Sequence, residues 1–574
     1  MKKLILALTL ILSAFIADAK VVNIKIMQTS DIHGNYYPYN FITRQPWKGS
    51  LARVYTAVLK EREVFGDNLL LLDNGDILQG QPSVYYYNFI NTEAPHLTSA
   101  MMNFMKYDAG SVGNHDVETG RPVMERWIDQ CNFPVLGANI INEKTGIPLL
   151  KPYQIFERDG VKIAVLGMIT PAIPAWLPKQ LWEGLRFDDM EETARKWVPF
   201  ILKNEKPDVL VGLFHAGQAG DIIVKYKQNA SREVAENIPG FDIVLMGHDH
   251  RRECTWVKNT ENRDVLIIDP ANNGNVVSNI DIKITLDNNG KVVDKEIKAD
   301  LLDVNQYEPS AEFLAEFQPQ FEEVQTFVER KIGTMTDAIS TRPAYFGPSA
   351  FIDLIHTLQL DITKADISFA APLSFDAKIA KGDIRVSDMF NLYKYENMLY
   401  VMELSGNEIK GYLEKSYELW TNRMTGKNDH LMLFRDNAYK GEKSRGLLKN
   451  RSYNFDSAAG IKYTVDVTKP AGEKVNIFSM ADGTEFDMNK TYKVAVNSYR
   501  GNGGGELLTK GAGIALEDLP SRVVFSTDKD LRYYLMKYIE NLGTVEPKVL
   551  DHWKFIPEKW VKRAAKKDME ILFK

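Results

Sequence analysis

Residues 22–34 read VNIKIMQTSDIHG, and this stretch decides how the first half of the chain is interpreted. An apolar run rich in β-branched residues ends at residue 27, and polar residues that include Asp31 and His33 follow it. The same order, an apolar run followed by a polar loop, occurs four more times, with apolar runs at residues 68–72, 161–169, 208–214 and 241–246. Near-continuous runs of Val, Ile and Leu are typical of strands covered on both faces. With helix-like segments at residues 50–65 and 190–204, the pattern predicts a layered α/β domain.

The polar loops after these runs contain residues that can bind metal ions or phosphate. Because ligands in open α/β sheets gather just beyond the carboxyl ends of strands, segments far apart in sequence can converge there. Asp31 and His33 are two residues apart, and His248 and His250 repeat that spacing, so each pair can face one ion. The candidate metal ligands are Asp31, His33, Asp76, Asn114, His215, His248 and His250.

This set of ligands fits two divalent cations. The two oxygens of one carboxylate, for which Asp76 is the natural candidate, can join ions about 3.5–4 Å apart. All seven residues offer nitrogen or oxygen rather than a thiolate, so the predicted cofactors are two ions of Zn, Mn, Fe or Co. Five of the nine histidines lie in these loops: His33, His115, His215, His248 and His250. We interpret the other four as structural or surface residues: His96, His356, His430 and His552.

Five motifs occur in order along the first half of the chain: Asp31-Ile32-His33-Gly34, Gly75-Asp76, Gly113-Asn114-His115-Asp116, His215 and Gly247-His248-Asp249-His250. In this order they resemble the calcineurin-like metallophosphoesterases, and within them the secreted 5′-nucleotidase group. The resemblance implies an α/β fold. A four-layer-type β-sandwich domain flanked by helices is followed by a helical connector and a second α/β domain that binds the substrate.

The resemblance also implies a role for each residue. One ion is implied on Asp31, His33, Asp76 and His250, and the other on Asp76, Asn114, His215 and His248. His115 matches the histidine that binds no metal in this family and lies beside the leaving group, where it can stabilise the phosphate or donate a proton. An acidic residue holds its ring, and Glu118 and Asp116 are both candidates. The implied reaction is attack of a metal-bound hydroxide on phosphorus.

The second half of the chain resembles the C-terminal domain of the same group in four segments: residues 369–373, 381–384, 392–397 and 497–505. In that group two aromatic residues hold the nucleotide base between their rings, and Tyr395 and Tyr499 occupy those positions. Stacking on a base contributes about 1–3 kcal/mol and tolerates base identity. Arg500, Gly503 and Gly504 are the further candidates for contact with the substrate.

One departure from the pattern of typical 5′-nucleotidases narrows the range of predicted substrates. Residues 374–377 read SFDA where typical 5′-nucleotidases carry Gly-Gly-Ile-Arg, so an expected arginine is missing. Residues 455–468 and the glycines after Arg500 are more similar to the bifunctional 2′,3′-cyclic-nucleotide 2′-phosphodiesterase/3′-nucleotidases. We therefore predict hydrolysis of 2′,3′-cyclic nucleotides and 3′-nucleotides. The alternatives are a 5′-nucleotidase or UDP-sugar hydrolase and, from another class, a metal- or nucleotide-binding protein without turnover.

The first residues predict export. Lys2 and Lys3 precede an apolar run and the segment Ala17-Asp18-Ala19, which is the order of a secretory signal peptide cleaved after Ala19. The alternative, an uncleaved membrane anchor, needs about 20 apolar residues, more than this run contains. We predict a signal peptide at 1–19, a two-metal catalytic domain at 20–304, a helical connector at 305–331, a nucleotide-binding domain at 332–545 and a surface-packing tail at 546–574. The mature protein is predicted to be periplasmic and not inserted in a membrane.

Charge and cysteine content limit the partners. The formal net charge of −6 argues against a broad electrostatic grip on polymeric nucleic acid, whereas a small nucleotide can rely on the metal ions for positive charge. The chain has two cysteines, Cys131 and Cys254. One disulfide between them and two separate thiols are both consistent with the sequence.

Overall fold

The computed structural model of the protein describes residues 20–573, apart from residues 221, 224 and 437–444. The predicted signal peptide lies outside the described residues. The chain forms two compact units. The first runs through Ile173 and resumes over Lys179–Val324, and the second comprises Pro174–Pro178 and Gln325–Lys574.

Two six-stranded sheets form the centre of the first unit. The strands of this unit are β1 (Lys20–Thr29), β2 (Tyr39–Asn40), β3 (Gln45–Pro46), β4 (Leu69–Asp73), β5 (Ala109–Ser111), β6 (Val135–Leu136), β7 (Ile140–Asn142), β8 (Tyr153–Arg158), β9 (Val161–Ile169), β10 (Leu185–Phe187), β11 (Val209–His215), β12 (Ile222–Ile223), β13 (Tyr226–Lys227), β14 (Ile243–Leu245), β15 (Arg252–Lys258), β16 (Asp264–Pro270), β17 (Val276–Leu286) and β18 (Val292–Asp303). The sheets have the strand orders β18-β17-β1-β4-β5-β6 and β15-β16-β14-β11-β9-β8. The central pairs β1–β4, β9–β11 and β11–β14 are parallel.

The two sheets pack against each other through apolar side chains. Ile26 of β1 and Val165 of β9 belong to one buried cluster between the sheets. The alternate residue Leu166 points to the opposite face of the second sheet, where it packs in a cluster with Val198 and Ile201 of the Met190–Asn204 helix. Burial on both faces explains why these strands are almost continuously apolar. With the Leu51–Phe65 helix against β1 and β4, the layers confirm the predicted α/β fold.

Capping side chains and a proline define the helix ends. The α-helices up to residue 329 are Leu51–Phe65, Pro82–Tyr85, Leu97–Met105, Asn114–Glu118, Arg121–Asp129, Met190–Asn204, Ser231–Asn237, Ala311–Glu316 and Gln318–Glu329. The side chains of Ser50 and Asp189 each accept a hydrogen bond from the amide three residues later, which satisfies a free N–H at the helix start. The predicted connector contains two helices separated at Phe317. Pro319 lies in the first turn of the second helix, where its missing N–H is tolerated.

The second unit contains a five-stranded sheet and two three-stranded sheets. Its strands are β19 (Lys331–Met335), β20 (Ile339–Ser340), β21 (Ile367–Ala370), β22 (Lys378–Ile379), β23 (Gly382–Arg385), β24 (Met398–Ser405), β25 (Ser457–Ala459), β26 (Ile461–Asp466), β27 (Val475–Met480), β28 (Thr491–Asn497), β29 (Val523–Asp530), β30 (Thr544–Val545) and β31 (Trp553–Ile556). The orders are β25-β21-β28-β24-β29, β23-β19-β30 and β27-β26-β31. The helices after residue 329 are Ala350–Thr363, Val386–Leu392, Gly406–Trp420, Ser498–Gly501, Leu519–Arg522, Leu531–Leu542 and Glu558–Phe573.

The last residues of the chain are built into the second unit. Strand β31 pairs in parallel with β26, and the ring of Trp553 stacks on Tyr463 with centroids 5.7 Å apart. Trp553 is 3% exposed and belongs to the main apolar cluster of this unit. The helix Glu558–Phe573 buries Val561 and Leu572 in the same cluster. The prediction of a surface-packing tail at 546–574 is therefore wrong, because the apolar side chains of this segment are part of the core of this unit.

Both cysteines are free, so the structure decides between the two alternatives that the sequence leaves open. Cys131 is half-buried, and its thiol lies 3.3 Å from the carbonyl oxygen of Trp127. Cys254 is exposed. Among the described residues, no helix combines the length and the apolar character needed to cross a membrane.

Candidate metal centre

Asp31, His33 and His250 form a first group of donors, with one donor atom of each lying within 4.8 Å of the others. Asp31 Oδ1 is 3.1 Å from His250 Nε2 and 3.9 Å from His33 Nε2, and the two Nε2 atoms are 3.1 Å apart. Asp31 Oδ2 accepts hydrogen bonds from Ser30 Oγ and from the His248 amide. Asp31 Oδ1 is buried and has no hydrogen-bond partner among the described residues. A buried carboxylate oxygen facing two imidazole nitrogens fits a bound cation.

Asp76, His215 and His248 form a second group. His215 Nε2 is 3.2 Å from Asp76 Oδ2 and 3.2 Å from Asn114 Oδ1, so Asn114 extends this group. The hydrogen bond from the His248 amide to Asp31 links the two groups. The structure thus brings the seven candidate ligands together at the ends of strands. The four histidines interpreted as structural lie outside both groups: His96, His356, His430 and His552.

Backbone carbonyls orient two of the candidate ligands. His215 Nδ1 is 2.6 Å from the carbonyl oxygen of Asn74, and His33 Nδ1 is 3.1 Å from that of Gln79. A histidine that donates from Nδ1 keeps the lone pair of Nε2 for a metal. The side chain of Asn74 also donates to the carbonyl oxygen of Phe214 at 2.9 Å, which ties two strand ends together. Asn74 was not among the predicted site residues, and its position directly before the Gly75-Asp76 motif was the available signal.

Five of the seven candidate ligands have left-handed backbone conformations: Asp31 (φ 53°), His33 (φ 50°), Asp76 (φ 55°), His248 (φ 77°) and His250 (φ 58°). Such a conformation is uncommon for a residue other than glycine and costs on the order of 1–3 kcal/mol at each position. The surrounding sheets must therefore hold these loops in place. Backbone strain of this kind accumulates at functional sites, where it fixes side chains in the positions that the chemistry requires.

Burial and neighbouring charges set the protonation of the histidines. Burial, and then the charge of His250, lowers the pKa of His33 to about 3. Burial, and then the charge of His215, lowers the pKa of His248 to about 3. Burial also disfavours a charged His215, but the Asp76 carboxylate overrides this effect and raises the pKa of His215 to about 10. A proton between His215 and Asp76 lies where a cation could replace it, because metals bind neutral imidazole and ionised carboxylate.

His115 lies beside both groups without belonging to either. Its amide donates to Asp76 Oδ1 at 2.7 Å, and its ring centroid is 5.4 Å from that of His33. His115 Nδ1 makes a short contact with Glu118 Oε2. The Glu118 side chain is 7% exposed and that of His115 is 24% exposed, so the pair has a buried side and an open side. Of the two acidic candidates, the structure places Glu118 on the ring of His115.

Asp116 points away from this ring, which corrects the predicted catalytic role for it. Its Oδ2 accepts hydrogen bonds from the amides of Gly113 at 2.7 Å and Asp76 at 2.9 Å. Its Oδ1 accepts from the amides of Ile77 at 2.9 Å and Leu78 at 2.8 Å. The buried carboxylate therefore ties the loop after β4 to the loop after β5. Asp116 and Glu118 face different ways because they are two residues apart in the helix Asn114–Glu118, and residues at that spacing do not share a helix face.

The predicted substrate residues lie in the second unit. Tyr395 and Tyr499 are half-buried. Arg500 is 1% exposed, and its guanidinium makes a bidentate ion pair with Asp456 through Nε at 3.0 Å and Nη2 at 2.9 Å. This corrects the prediction that Arg500 contacts the substrate, because a buried guanidinium requires its internal partner and is not presented to a ligand.

Comparison with known proteins agrees with the fold and the arrangement of donors. A family model described as calcineurin-like phosphoesterase matches residues 24–252, and one described as 5′-nucleotidase, C-terminal domain, matches residues 331–510. Residues 24–252 therefore form a calcineurin-like phosphoesterase domain. Members of this family are hydrolases that use two divalent metal ions, so the predictions of the family, the enzyme class and the two metal cofactors are confirmed.

Curated relatives match most of this phosphoesterase. It is 27% identical over 597 residues to the trifunctional nucleotide phosphoesterase protein YfkN of Bacillus subtilis, a match that covers 94% of this chain and 39% of that relative. It therefore spans well under half the length of that relative. It is 25% identical over 616 residues to a 2′,3′-cyclic-nucleotide 2′-phosphodiesterase/3′-nucleotidase of Yersinia enterocolitica, covering 96% of this chain and 90% of the relative.

Solved structures share the fold of the phosphoesterase. A Staphylococcus aureus protein solved in complex with alpha-ketoglutarate has a TM-score of 0.76 and 23% identity, with 93% of this chain and 99% of that chain covered. A 5′-nucleotidase precursor from Thermus thermophilus has a TM-score of 0.61 and 22% identity, with the same coverage. At these identities the similarity supports the two-domain architecture alone.

Proposed function

We propose that this phosphoesterase hydrolyses phosphate esters of nucleotides and prefers 2′,3′-cyclic nucleotides and 3′-nucleotides. The observation that carries the proposal is the convergence of two groups of nitrogen and oxygen donors with His115 beside them. The preference is supported by the arginine missing from residues 374–377. It is supported also by the relative from Yersinia enterocolitica that is named for this pair of activities and matches over 90% of its own length.

The proposed metal ligands are Asp31, His33, Asp76, Asn114, His215, His248 and His250. Their fit to cations rests on the unpartnered oxygen of Asp31 and on the close approach of His215 to Asp76. When bound, two divalent ions supply positive charge for the phosphate oxygens and acidify water at the site. The proposed bridging residue is Asp76, whose Oδ1 accepts the His115 amide while Oδ2 faces His215.

In this proposal His115 donates a proton to the oxygen of the leaving alcohol. Glu118 accepts from Nδ1, so the ring has one orientation and its protonated form is stabilised. The proton that reaches the leaving oxygen is then carried by Nε2. Because the His115 amide is bound to Asp76, the proton donor and the proposed bridging ligand keep a fixed separation. Such positioning lowers the barrier without movement of the protein during the reaction.

The remaining proposals concern the second domain and the location of the enzyme. The nucleotide base is held by Tyr395 and Tyr499, each half-buried in the second unit. The proposed domains are the catalytic domain at 20–304, the connector at 305–331, the nucleotide-binding domain at 332–545 and the C-terminal segment at 546–574, which packs into the core of the second unit. The signal-like order of residues 1–19 supports export to the periplasm.

A panel of substrates tests the proposed function. The purified, metal-loaded full-length mature protein is assayed with 2′,3′-cyclic AMP, 3′-AMP, 5′-AMP, UDP-glucose and bis(p-nitrophenyl) phosphate. We expect kcat/KM for the 2′,3′-cyclic and 3′-nucleotides to exceed that for 5′-AMP by at least about tenfold, which is about 1.4 kcal/mol in transition-state binding. Preference for 5′-AMP or UDP-glucose would identify a 5′-nucleotidase or UDP-sugar hydrolase. Binding of metal and nucleotide without turnover would contradict the enzymatic proposal.

A further inference from the structure

Tyr453 lies beside both tyrosines that are proposed to hold the base. Its ring centroid is 6.5 Å from that of Tyr395 with an interplanar angle of 83°, and 6.4 Å from that of Tyr499 with an angle of 85°. All three side chains are half-buried, unlike the fully buried tyrosines in the core of this unit. The face of the Tyr453 ring, here called the floor, is therefore oriented so that it can meet the edge of a planar base that lies between Tyr395 and Tyr499.

A buried ion pair fixes the backbone that carries Tyr453. Arg500 Nη2 donates to the carbonyl oxygen of Tyr453 and to Asp456 Oδ1, and Nη1 donates to Asn454 Oδ1 at 2.9 Å. Arg500 and Asp456 are 1% and 2% exposed. Because a bidentate pair of guanidinium and carboxylate has one preferred geometry, it fixes the segment that contains Tyr453 relative to the residue next to Arg500, which is Tyr499.

The glycines after Arg500 allow this scaffold to close. A Cβ atom on Gly504 would lie 2.5 Å from a ring carbon of Tyr499, and one on Gly505 would lie 2.4 Å from Arg500 Nη1. Gly503 and Gly505 also have positive φ angles of 99° and 73°. Gly503 and Gly504, which the sequence predicted as substrate contacts, thus form the tight turn that packs against Tyr499 and Arg500. The Arg500–Asp456 ion pair, the hydrogen bond from Arg500 to the Tyr453 carbonyl oxygen and the glycine turn therefore all help to hold Tyr453 and Tyr499, which with Tyr395 form the aromatic cluster.

We propose that Tyr453 is a third residue of the base-binding site, where its ring contacts the edge of the base held by Tyr395 and Tyr499. Arg500 is the positioning residue that holds it there. This inference rests on the proposed function and adds a determinant of base size to it. A purine extends further from the sugar than a pyrimidine does, so contact with the floor favours purine nucleotides. Perpendicular aromatic contacts contribute a factor of about two to ten in affinity.

The test compares Tyr453→Leu, Tyr453→His and Tyr453→Phe with the wild-type full-length enzyme. Tyr533→Leu is the matched control, because Tyr533 is half-buried in the same unit outside the cluster. We expect Tyr453→Leu to raise KM for 2′,3′-cyclic AMP about three- to tenfold and that for 2′,3′-cyclic CMP less, with kcat changed less than about twofold. Hydrolysis of bis(p-nitrophenyl) phosphate, which has no base, should be unchanged. Tyr453→His should give an intermediate loss, and Tyr453→Phe and Tyr533→Leu should resemble wild type.

Calorimetric titration with adenosine separates this inference from the proposed function, because adenosine carries no phosphate. A dissociation constant weakened by Tyr453→Leu and by Tyr453→His supports the base contact even if the wild-type enzyme hydrolyses no nucleotide. The inference is overturned if folded Tyr453→Leu and Tyr453→His proteins bind adenosine as tightly as wild type does. It is overturned also if the loss on bis(p-nitrophenyl) phosphate equals the loss on nucleotides. Melting curves establish which variants are folded.

Discussion

Asp116→Asn is expected to destabilise the protein because it removes hydrogen bonds to backbone N–H groups, not because it removes a catalytic side chain. Each oxygen of Asp116 accepts two N–H groups at 2.7–2.9 Å. Asparagine has one acceptor oxygen, so two of the four N–H groups would face its NH₂ group. Hydrogen bonds to a charged acceptor contribute about 1.5–3 kcal/mol each, so the loss of two costs about 3–6 kcal/mol. Relief of the cost of burying a carboxylate offsets part of this, which leaves an expected loss of about 2–4 kcal/mol in the free energy of unfolding.

The same substitution should weaken metal binding, because the loop that carries Asp76 loses its attachment. Changes in residues that support metal ligands typically lower metal affinity about 10- to 100-fold. Urea unfolding measures the stability, and competition with a chelator measures the metal affinity. Asp129→Asn is the control, since Asp129 is exposed at the end of a nearby helix and should change neither quantity. Wild-type stability together with wild-type metal affinity in Asp116→Asn would show that Asp116 does not hold the loop that carries Asp76.

Four further substitutions test the site. Asp76→Asn should nearly abolish turnover, because an amide lacks the charge of a bridging carboxylate, and assays paired with metal analysis check this. His115→Ala should slow hydrolysis about 100-fold or more at unchanged metal content, and loss of metal would show that His115 is a ligand. Glu118→Gln should move the basic limb of the pH–rate profile to lower pH, since the protonated His115 loses its carboxylate partner; an unmoved limb would contradict this. Tyr499→Ala should lower kcat/KM for nucleotides at least about fivefold and spare bis(p-nitrophenyl) phosphate, so equal losses would exclude a base contact.

The layered fold follows closely from the sequence. The apolar run at residues 161–169 coincides with β9, and the predicted helix at 50–65 differs from the observed Leu51–Phe65 helix by one residue. Strands buried on both faces have few polar residues, so their ends are marked by the first charged or turn residue. The candidate ligands follow directly after such ends, and parallel strands bring their carboxyl ends to the same edge. Local sequence was therefore enough to predict both the layered fold and the convergence of the candidate metal ligands.

The directions of individual side chains could not be predicted. Asp116 and Glu118 were both candidates in the sequence. Three of the four backbone N–H groups that donate to Asp116 belong to a loop about forty residues earlier, and only the tertiary structure shows that proximity. Arg500 was expected at the ligand because it lies in segment 497–505, which resembles the substrate-binding domain of the family, whereas Asp456 provides it with a buried partner. Tyr453 was not recognised because its neighbours Tyr395 and Tyr499 are distant in sequence.

In the proposed function, turnover depends on two metal ions held by the seven proposed ligands. The most direct measurement is a titration of chelator-stripped protein with Mn²⁺ or Zn²⁺ while hydrolysis of 2′,3′-cyclic AMP is followed, with bound metal determined at each point. The expected result is no measurable turnover without metal and a rise that saturates at two bound ions per chain. Full turnover in metal-free protein, or saturation at one ion per chain, would contradict it.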